Sequence, residues 1–436
     1  MTNLRATQTG SGWDVDDTKS GPVSAELDGN GRPTGRMLTD DGQVVGGGGS
    51  MIERAAARYK AKYQAGVSQL IATGDSYGIE ESGGNGYTDL MAAAFASDFR
   101  CSNFAEGSST TARYTKNTRH NGSNTALTAH RLRVERDWLI YGMVGFNDLR
   151  GGPYTIGGTL NAGCGPSGEA MRSYRKRLMY MVSHFCIPDA NKVRALEFDG
   201  SGAYALNPAV TYTGTWTVGN AGIGADQVAS TTTGTSAAEM TTPAGDLVVV
   251  AYLNRLGAAS PGVTIEIDGV DYGEMSNAAT YDAAFAPTCA IYQVPYAESH
   301  TVKLSRNGVS MSWEWVACVD TSTDFGATMI WAPPSQLLDA ASTGWSSGNT
   351  LNGIAANSIT GPSADLRGEG GRLRFESVQH ETMRELYELG FNVVPVDINV
   401  GFDPNTMMDA DTVHRNADGH KAMFRPFEWA VRRLIR

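Results

Sequence analysis

The stretch "IATGDSYGIE", residues 71–80, is the one on which the reading of this chain turns. It begins within "SQLIATG", a short apolar run closed by Gly74, which suits a buried strand. Asp75, Ser76 and Tyr77 follow at once. Two readings of Ser76 are open here. A serine after Gly-Asp is a good helix cap, because its hydroxyl accepts from a free backbone N–H. A serine at the C-terminal end of a strand is also where an open α/β sheet presents reactive groups. The rest of the chain has to decide.

Working outward, "MIERAAARYKAKYQAG" before the stretch and "YTDLMAAAFASDF" after it read as helices. "DWLIYGMVGF" (137–146) is a second strand candidate, and "EAMRSYRKRLMYMVSHF" (169–185) a helix whose basic cluster reads as a solvated face. From about 198 to 325 the texture changes to short alternating runs, among them "DLVVVAYL", "VTIEIDGV" and "SMSWEWVACV", punctuated by Gly, Asn, Ser and Pro. Strands at this spacing without helices predict an antiparallel β-sandwich, with a hairpin turn at Asp268-Gly269. Then "ATMIWAPP" (327–334) reads as a strand, "RFESVQHETMRELYELG" (374–390) as a helix closed by Gly390, and "NVVPVDIN" (392–399) as a strand. "GHKAMFRPFEWAVRRLIR" reads as a final helix, in which Pro426 predicts a kink or a late start.

Strand–helix alternation on both sides of a β-only block predicts one α/β domain with a doubly wound parallel sheet, interrupted by the sandwich. The boundaries are 1–50, a polar segment ending in the flexible "GGGGS"; 51–197, the first part of the core; 198–325, the insert; and 326–436, the second part.

Composition narrows the function. A net charge of −11 argues against nucleic acid or an anionic membrane as partner. No stretch approaches the roughly 18 apolar residues of a membrane span, and the N-terminus lacks the apolar region of a secretory signal. The five cysteines are scattered, with no C-x-x-C pair, so free thiols are expected. No metal-binding or nucleotide-binding motif is present, and neither a metal nor a cofactor is implied.

Three further segments end strands or precede the last helix. "SNFAEGSSTTA" places Gly107 in a turn, "VGFNDLRGG" places Asn147 after a strand, and "DADTVHRNADGHKAM" carries Asp411 and His414. Ester cleavage needs a hydroxyl nucleophile, a base, an orienting carboxylate and oxyanion donors. Ser76, His414 and Asp411 supply the first three. The backbone N–H groups of Ser76 and Gly107 and the side-chain amide of Asn147 supply the last. Read singly, Asn147 would cap a turn, Asp75 would be a structural hydrogen-bonding residue, and His420 would belong to the helix entrance.

Taken in order, Gly74-Asp75-Ser76, Gly107, Gly145-Phe146-Asn147-Asp148 and Asp411-Thr412-Val413-His414 resemble the four blocks of the SGNH, or GDSL-like, hydrolases. The resemblance covers about 60–197 and 325–436. It implies a three-layer, flavodoxin-like core and a serine esterase. Tyr77 departs from the leucine common after that serine. The insert carries Trp313 and Trp315, which share a face if "SMSWEWVACV" is a regular strand, and which are candidate sugar-stacking rings or core packing. The expected substrate is an acyl ester, acetyl above all, on a carbohydrate or polysaccharide. A lipase- or thioesterase-type hydrolase of small esters is the alternative within the class. A virion binding or structural module with a degenerate core is the alternative outside it. A polysaccharide outside the cell and the lack of a signal are reconciled by a phage-tail protein released on lysis, with residues 1–50 as an attachment or oligomerisation segment; otherwise the chain stays in the cytoplasm.

Overall fold

A computed structural model of the protein describes residues 51–79, 86–105, 107, 134–143, 145, 155–156, 159–160, 168–198, 204–220, 227–232, 234–254, 263–275, 286–308, 310–323, 325–335, 369–409 and 414–436, with four strands between 5 and 39. The chain forms two compact units, residues 1–61 with 432–436, and residues 62–431.

In the smaller unit, strands Arg5–Thr9, Gly12–Asp17, Gly21–Leu27 and Pro33–Thr39 pair in sequence order as an antiparallel sheet. A polar composition hides these strands, because backbone pairing between turn-forming Gly, Asp and Asn residues needs no apolar run. Helix Met51–Lys60 belongs to the same unit, where Glu53 meets Arg433 at 3.6 Å.

In the larger unit, β1 (Gln69–Gly74), β2 (Arg100–Asn103), β3 (Leu139–Met143), β4 (Thr328–Ala332) and β5 (Asn392–Pro395) form one sheet with every pair parallel. Their spatial order is β2-β1-β3-β4-β5. β3 and β4 are buried at every position, the continuous apolar pattern of a parallel strand covered on both faces. β2, "RCSN", is a polar edge strand that the sequence pattern does not single out. The strand order reverses at β1, and in open parallel sheets a crevice forms beyond the C-terminal strand ends beside such a reversal.

Helices α1 (Tyr87–Phe95), α2 (Gly168–Cys186), α3 (Glu369–Glu388) and α4 (Ala417–Ile435) accompany the sheet. α3 ends as its sequence predicts: Gly390 adopts φ +98°, and the Phe391 N–H reaches back to the Leu386 carbonyl at 3.0 Å. α4 buries Met423, Phe427, Val431 and Leu434 on one stripe. It does not start late: it begins at Ala417 and runs through Pro426.

The chain between β3 and β4 also holds two antiparallel sheets. One contains Thr217–Asn220, Gln227–Thr231, Met311–Val319, Gly245–Asn254 and Ala286–Ala297, in that order. The other contains Thr211–Thr213, Ala237–Thr242, His300–Arg306, Val263–Ile267 and Val270–Glu274. Val250, Tyr252, Ile265, Leu304 and Trp313 fill the space between them. The turn at Asp268 (φ +51°) and Gly269 (φ +77°) has the two positive φ values of a primed hairpin turn, as expected.

The two tryptophans do not share a face. Ala251 pairs with Trp315 but its neighbour Tyr252 pairs with Trp313, so Glu314 is an extra residue in the strand. Such a bulge shifts the two-residue side-chain period by one. Trp313 therefore joins Val316 and Cys318 in the sandwich core. Trp315 points the other way, toward Tyr180 (6.1 Å between ring centroids) and His184 (6.5 Å) of α2. Both are 0 % exposed, which corrects the expectation of a sugar-stacking platform: neither ring has a face open to a ligand.

α2 is consequently sandwiched itself. Every residue from 177 to 188 is buried, over three turns with no solvent-facing side. The helix lies between β4 and strand Ala286–Ala297, so the insert has a core of its own and also a second buried face. Burial pushes the thiols of Cys186 and Cys289, on that helix and that strand, up to about 12. Among the described residues, no helix is long and apolar enough to cross a membrane.

Candidate active site

β1 delivers Ser76 to the crevice through a turn that only glycine permits. Gly74 has φ +135°, and a Cβ there would lie 2.4 Å from the Met143 carbonyl oxygen of β3. That close approach lets the Asp75 N–H donate to the same oxygen at 3.2 Å. The chain then makes a single 3₁₀ turn, Ser76–Gly78. Asp75 caps it, its carboxylate accepting from the Tyr77 N–H at 3.2 Å. So the cap in "GDS" is the aspartate, and the serine at the first position of the turn is left to the crevice.

The turn is held from the β2 side as well. The Asn103 amide donates to the Gly78 carbonyl at 2.7 Å, and the Thr88 hydroxyl donates to the same oxygen at 3.1 Å. The chain leaving β2 passes so close that a Cβ on Gly78 would sit 2.5 Å from the Ala105 Cβ. Gly107 follows, half-buried, and a Cβ added there would meet Ile79 Cδ1 at 3.0 Å. The Gly107 turn therefore lies against the Ser76 turn.

His414 arrives from the far end of the chain. Its Nε2 is 2.9 Å from Ser76 Oγ, across 338 residues of sequence. Its ring leans on Tyr77, with centroids 5.7 Å apart. With the ring proton on Nδ1, Nε2 accepts from the serine hydroxyl, the arrangement in which a base can activate that hydroxyl. The flanks of His414 are pinned: its carbonyl accepts from the Asp409 N–H at 2.8 Å, and the Asn416 N–H donates to the Met407 carbonyl at 3.1 Å. Asn416 also caps α4, its side-chain oxygen accepting from the N–H groups of Asp418 and Gly419, each at 3.1 Å.

His420 has a different task. Its Nδ1 accepts from the Tyr87 N–H at 3.3 Å, and its ring stacks on Tyr87. Burial, aided by the nearby Arg415 charge, pulls it down to about 4, so it is the neutral imidazole that joins α4 to α1. Arg415 is buried among neutral oxygens. Its guanidinium donates to Ser335 Oγ and Asn399 Oδ1, each at 3.0 Å, and to the Ile398 carbonyl at 2.9 Å.

Of the residues singled out in the sequence, Ser76 and His414 are brought together, with Gly107 in the adjoining turn. Asp411 and Asn147 lie outside the described residues. Trp313 and Trp315 are in or behind the sandwich. Sequence reasoning passed over Arg415 and Asn103, and marked Tyr77 only as a departure from the usual leucine. The motif around His414 names the histidine, but nothing in "HRN" distinguishes a buried arginine from a surface one.

No family model matches the sequence, and no curated protein matches it. Several solved structures show partial likeness. The porcine torovirus hemagglutinin-esterase aligns with 84% of this chain and 88% of its own, at 12% identity and a TM-score of 0.35. A two-domain esterase active on acetylated mannans aligns with 62% of this chain and 95% of its own, at 10% identity and a TM-score of 0.27. The catalytic unit of an α-1,3-glucanase from Streptomyces thermodiastaticus aligns with 30% of this chain, at 16% identity and a TM-score of 0.23; the match spans only 25% of the glucanase unit. Likenesses this slight carry no argument about the chemistry of the site.

Proposed function

We propose that the chain is a serine esterase of the SGNH type, with a doubly wound core, that removes acyl groups, acetyl above all, from a carbohydrate or polysaccharide. The observation that carries this reading is the 2.9 Å contact between His414 Nε2 and Ser76 Oγ at the C-terminal ends of a parallel sheet. In the proposed reaction Ser76 Oγ attacks the ester carbonyl carbon, and its proton passes to His414 Nε2. The tetrahedral intermediate collapses, the sugar oxygen leaves, and Nε2 returns the proton to it. A water, deprotonated by the same nitrogen, then cleaves the acyl-serine and releases the carboxylic acid.

Two further roles belong to the proposal. Asp411, three residues before His414, accepts from the Nδ1–H and holds the tautomer. The Ser76 and Gly107 N–H groups and the Asn147 amide receive the oxyanion. Ser76 suits this role, because the first N–H groups of a helical turn have no partner inside it.

The test is acetate release from a panel of acetylated polysaccharides beside p-nitrophenyl acetate. The wild type is expected to release acetate from at least one polymer. Ser76→Ala is expected to lose about 10³-fold or more in kcat on the small ester. A variant retaining a tenth of wild-type activity removes Ser76 from the mechanism. Turnover of the small ester without any polymer leaves the esterase and overturns the carbohydrate substrate.

A further inference from the structure

We infer that Arg415 is a positioning residue: its guanidinium clamps the His414 loop to the ends of β4 and β5 and so sets the reach of His414 to Ser76. The kinetic part of this inference rests on the esterase reading; the structural part rests on geometry alone.

Arg415 follows His414 directly and is 0 % exposed. Its Nε donates to Ser335, three residues beyond β4. Its Nη1 and Nη2 donate to Ile398 and Asn399, beyond β5, and Nη1 has a longer 3.5 Å contact to the Gly419 carbonyl in α4. Asn399 is itself tied to the β4 side, its amide donating to the Pro334 carbonyl at 3.2 Å. The Phe402 ring centroid lies 3.7 Å from the guanidinium carbon. One planar cation thus touches the chain leaving two adjacent strands and the first turn of α4.

This arrangement is costly. Burial pulls the Arg415 guanidinium down to about 9, with Tyr77 and Asp397 acting in the opposite sense. Every hydrogen bond named above ends on a neutral oxygen, so no contacting carboxylate offsets the desolvation through those bonds. A simpler role, shaping the loop or starting the helix, does not need the side chain. The bridge between Met408 and Arg415 closes the loop through backbone, and Asn416 caps α4. What the side chain adds is the link from the histidine loop to the sheet that carries Ser76. A lysine could not replace it, because a point ammonium cannot reach acceptors in three directions with the geometry of a planar fork.

The experiment compares the wild-type full chain with Arg415→Met and Arg415→Lys. Two readouts are taken: the imidazole nitrogen NMR signals of His414, assigned by their loss in His414→Gln, and kcat and KM on p-nitrophenyl acetate. In Arg415→Met the His414 signals are expected to shift or broaden while those of His300 stay. A misplacement near 1 Å costs about 10²-fold, so kcat should fall about 10- to 100-fold with KM within about twofold. If Arg415→Met does not fold, Arg415→Lys carries the test: a folded lysine variant with shifted His414 signals and lowered kcat supports the role. Wild-type His414 signals in either folded variant overturn it. A wild-type protein that cleaves no ester overturns the esterase reading, and the NMR comparison still decides the positioning role.

Discussion

Truncating Trp315 separates a structural role from a ligand-binding one. The ring is 0 % exposed, packed on Tyr180 and His184 of α2, with the Lys192 ammonium 5.3 Å from its centroid. Trp315→Ala would leave a cavity between the sandwich and α2 that the bulged strand and the buried C-terminal half of the helix cannot easily close. Large-to-small changes of this kind cost about 3–5 kcal/mol. Lys192 would also lose its aromatic face inside the protein, worth about 1–2 kcal/mol more. The sum is about 4–7 kcal/mol, and with a urea m-value of about 3 kcal/mol/M the midpoint for the larger unit should fall by more than about 1 M. Trp313→Ala, which empties a site in the sandwich core without touching Lys192, should cost the cavity part alone. The assay is urea unfolding followed by tryptophan fluorescence, beside affinity electrophoresis in acetylated polysaccharide. A Trp315→Ala protein with the wild-type midpoint and weakened polymer binding would refute the burial argument and restore the stacking platform.

Excising residues 198–325 in favour of a short Gly/Ser linker should yield an aggregating or protease-sensitive product, because it bares the α2 face packed on strand Ala286–Ala297. Size-exclusion chromatography and limited proteolysis check this; a monodisperse, active product would show the sandwich to be separable. His420 supplies a pH dependence. Folding holds it near 4 against an ordinary 6.5, so between those values the unfolded chain binds a proton that the folded chain does not. Its contribution is complete above about pH 6.5 and is lost as pH falls toward 4, by up to about 3 kcal/mol. His420→Asn, which keeps an acceptor for the Tyr87 N–H, should flatten the stability-versus-pH curve over that window relative to wild type; parallel curves contradict the assignment.

The core was legible where apolar runs and glycines make local statements. "LIATG", "LIYGM" and "TMIWA" are strands because every side chain is apolar or small, and Gly390 ends its helix because it alone takes φ +98° easily. Ser76 and His414 were legible as candidates because one follows a readable strand and the other precedes a readable helix; Gly107 was legible only through its place in the ordered set of motifs. Three things were not. The bulge at Glu314 leaves no trace in "SWEWV", yet it decides which way each tryptophan faces. The N-terminal strands and β2 are held by backbone pairing, to which composition is blind. Arg415 looks like any surface arginine, because burial of a charge is a property of what surrounds it in space.

The central claim is that His414 activates Ser76. A fluorophosphonate reacts with a serine only where a neighbouring base activates the hydroxyl, and needs no guess about the substrate. Intact mass spectrometry and peptide mapping of the treated full chain should find one adduct, on Ser76, and none on Ser76→Ala. In His414→Ala the labelling rate should fall by at least about 10²-fold. An unlabelled wild-type protein, an adduct on another residue, or a rate indifferent to His414 would contradict the account.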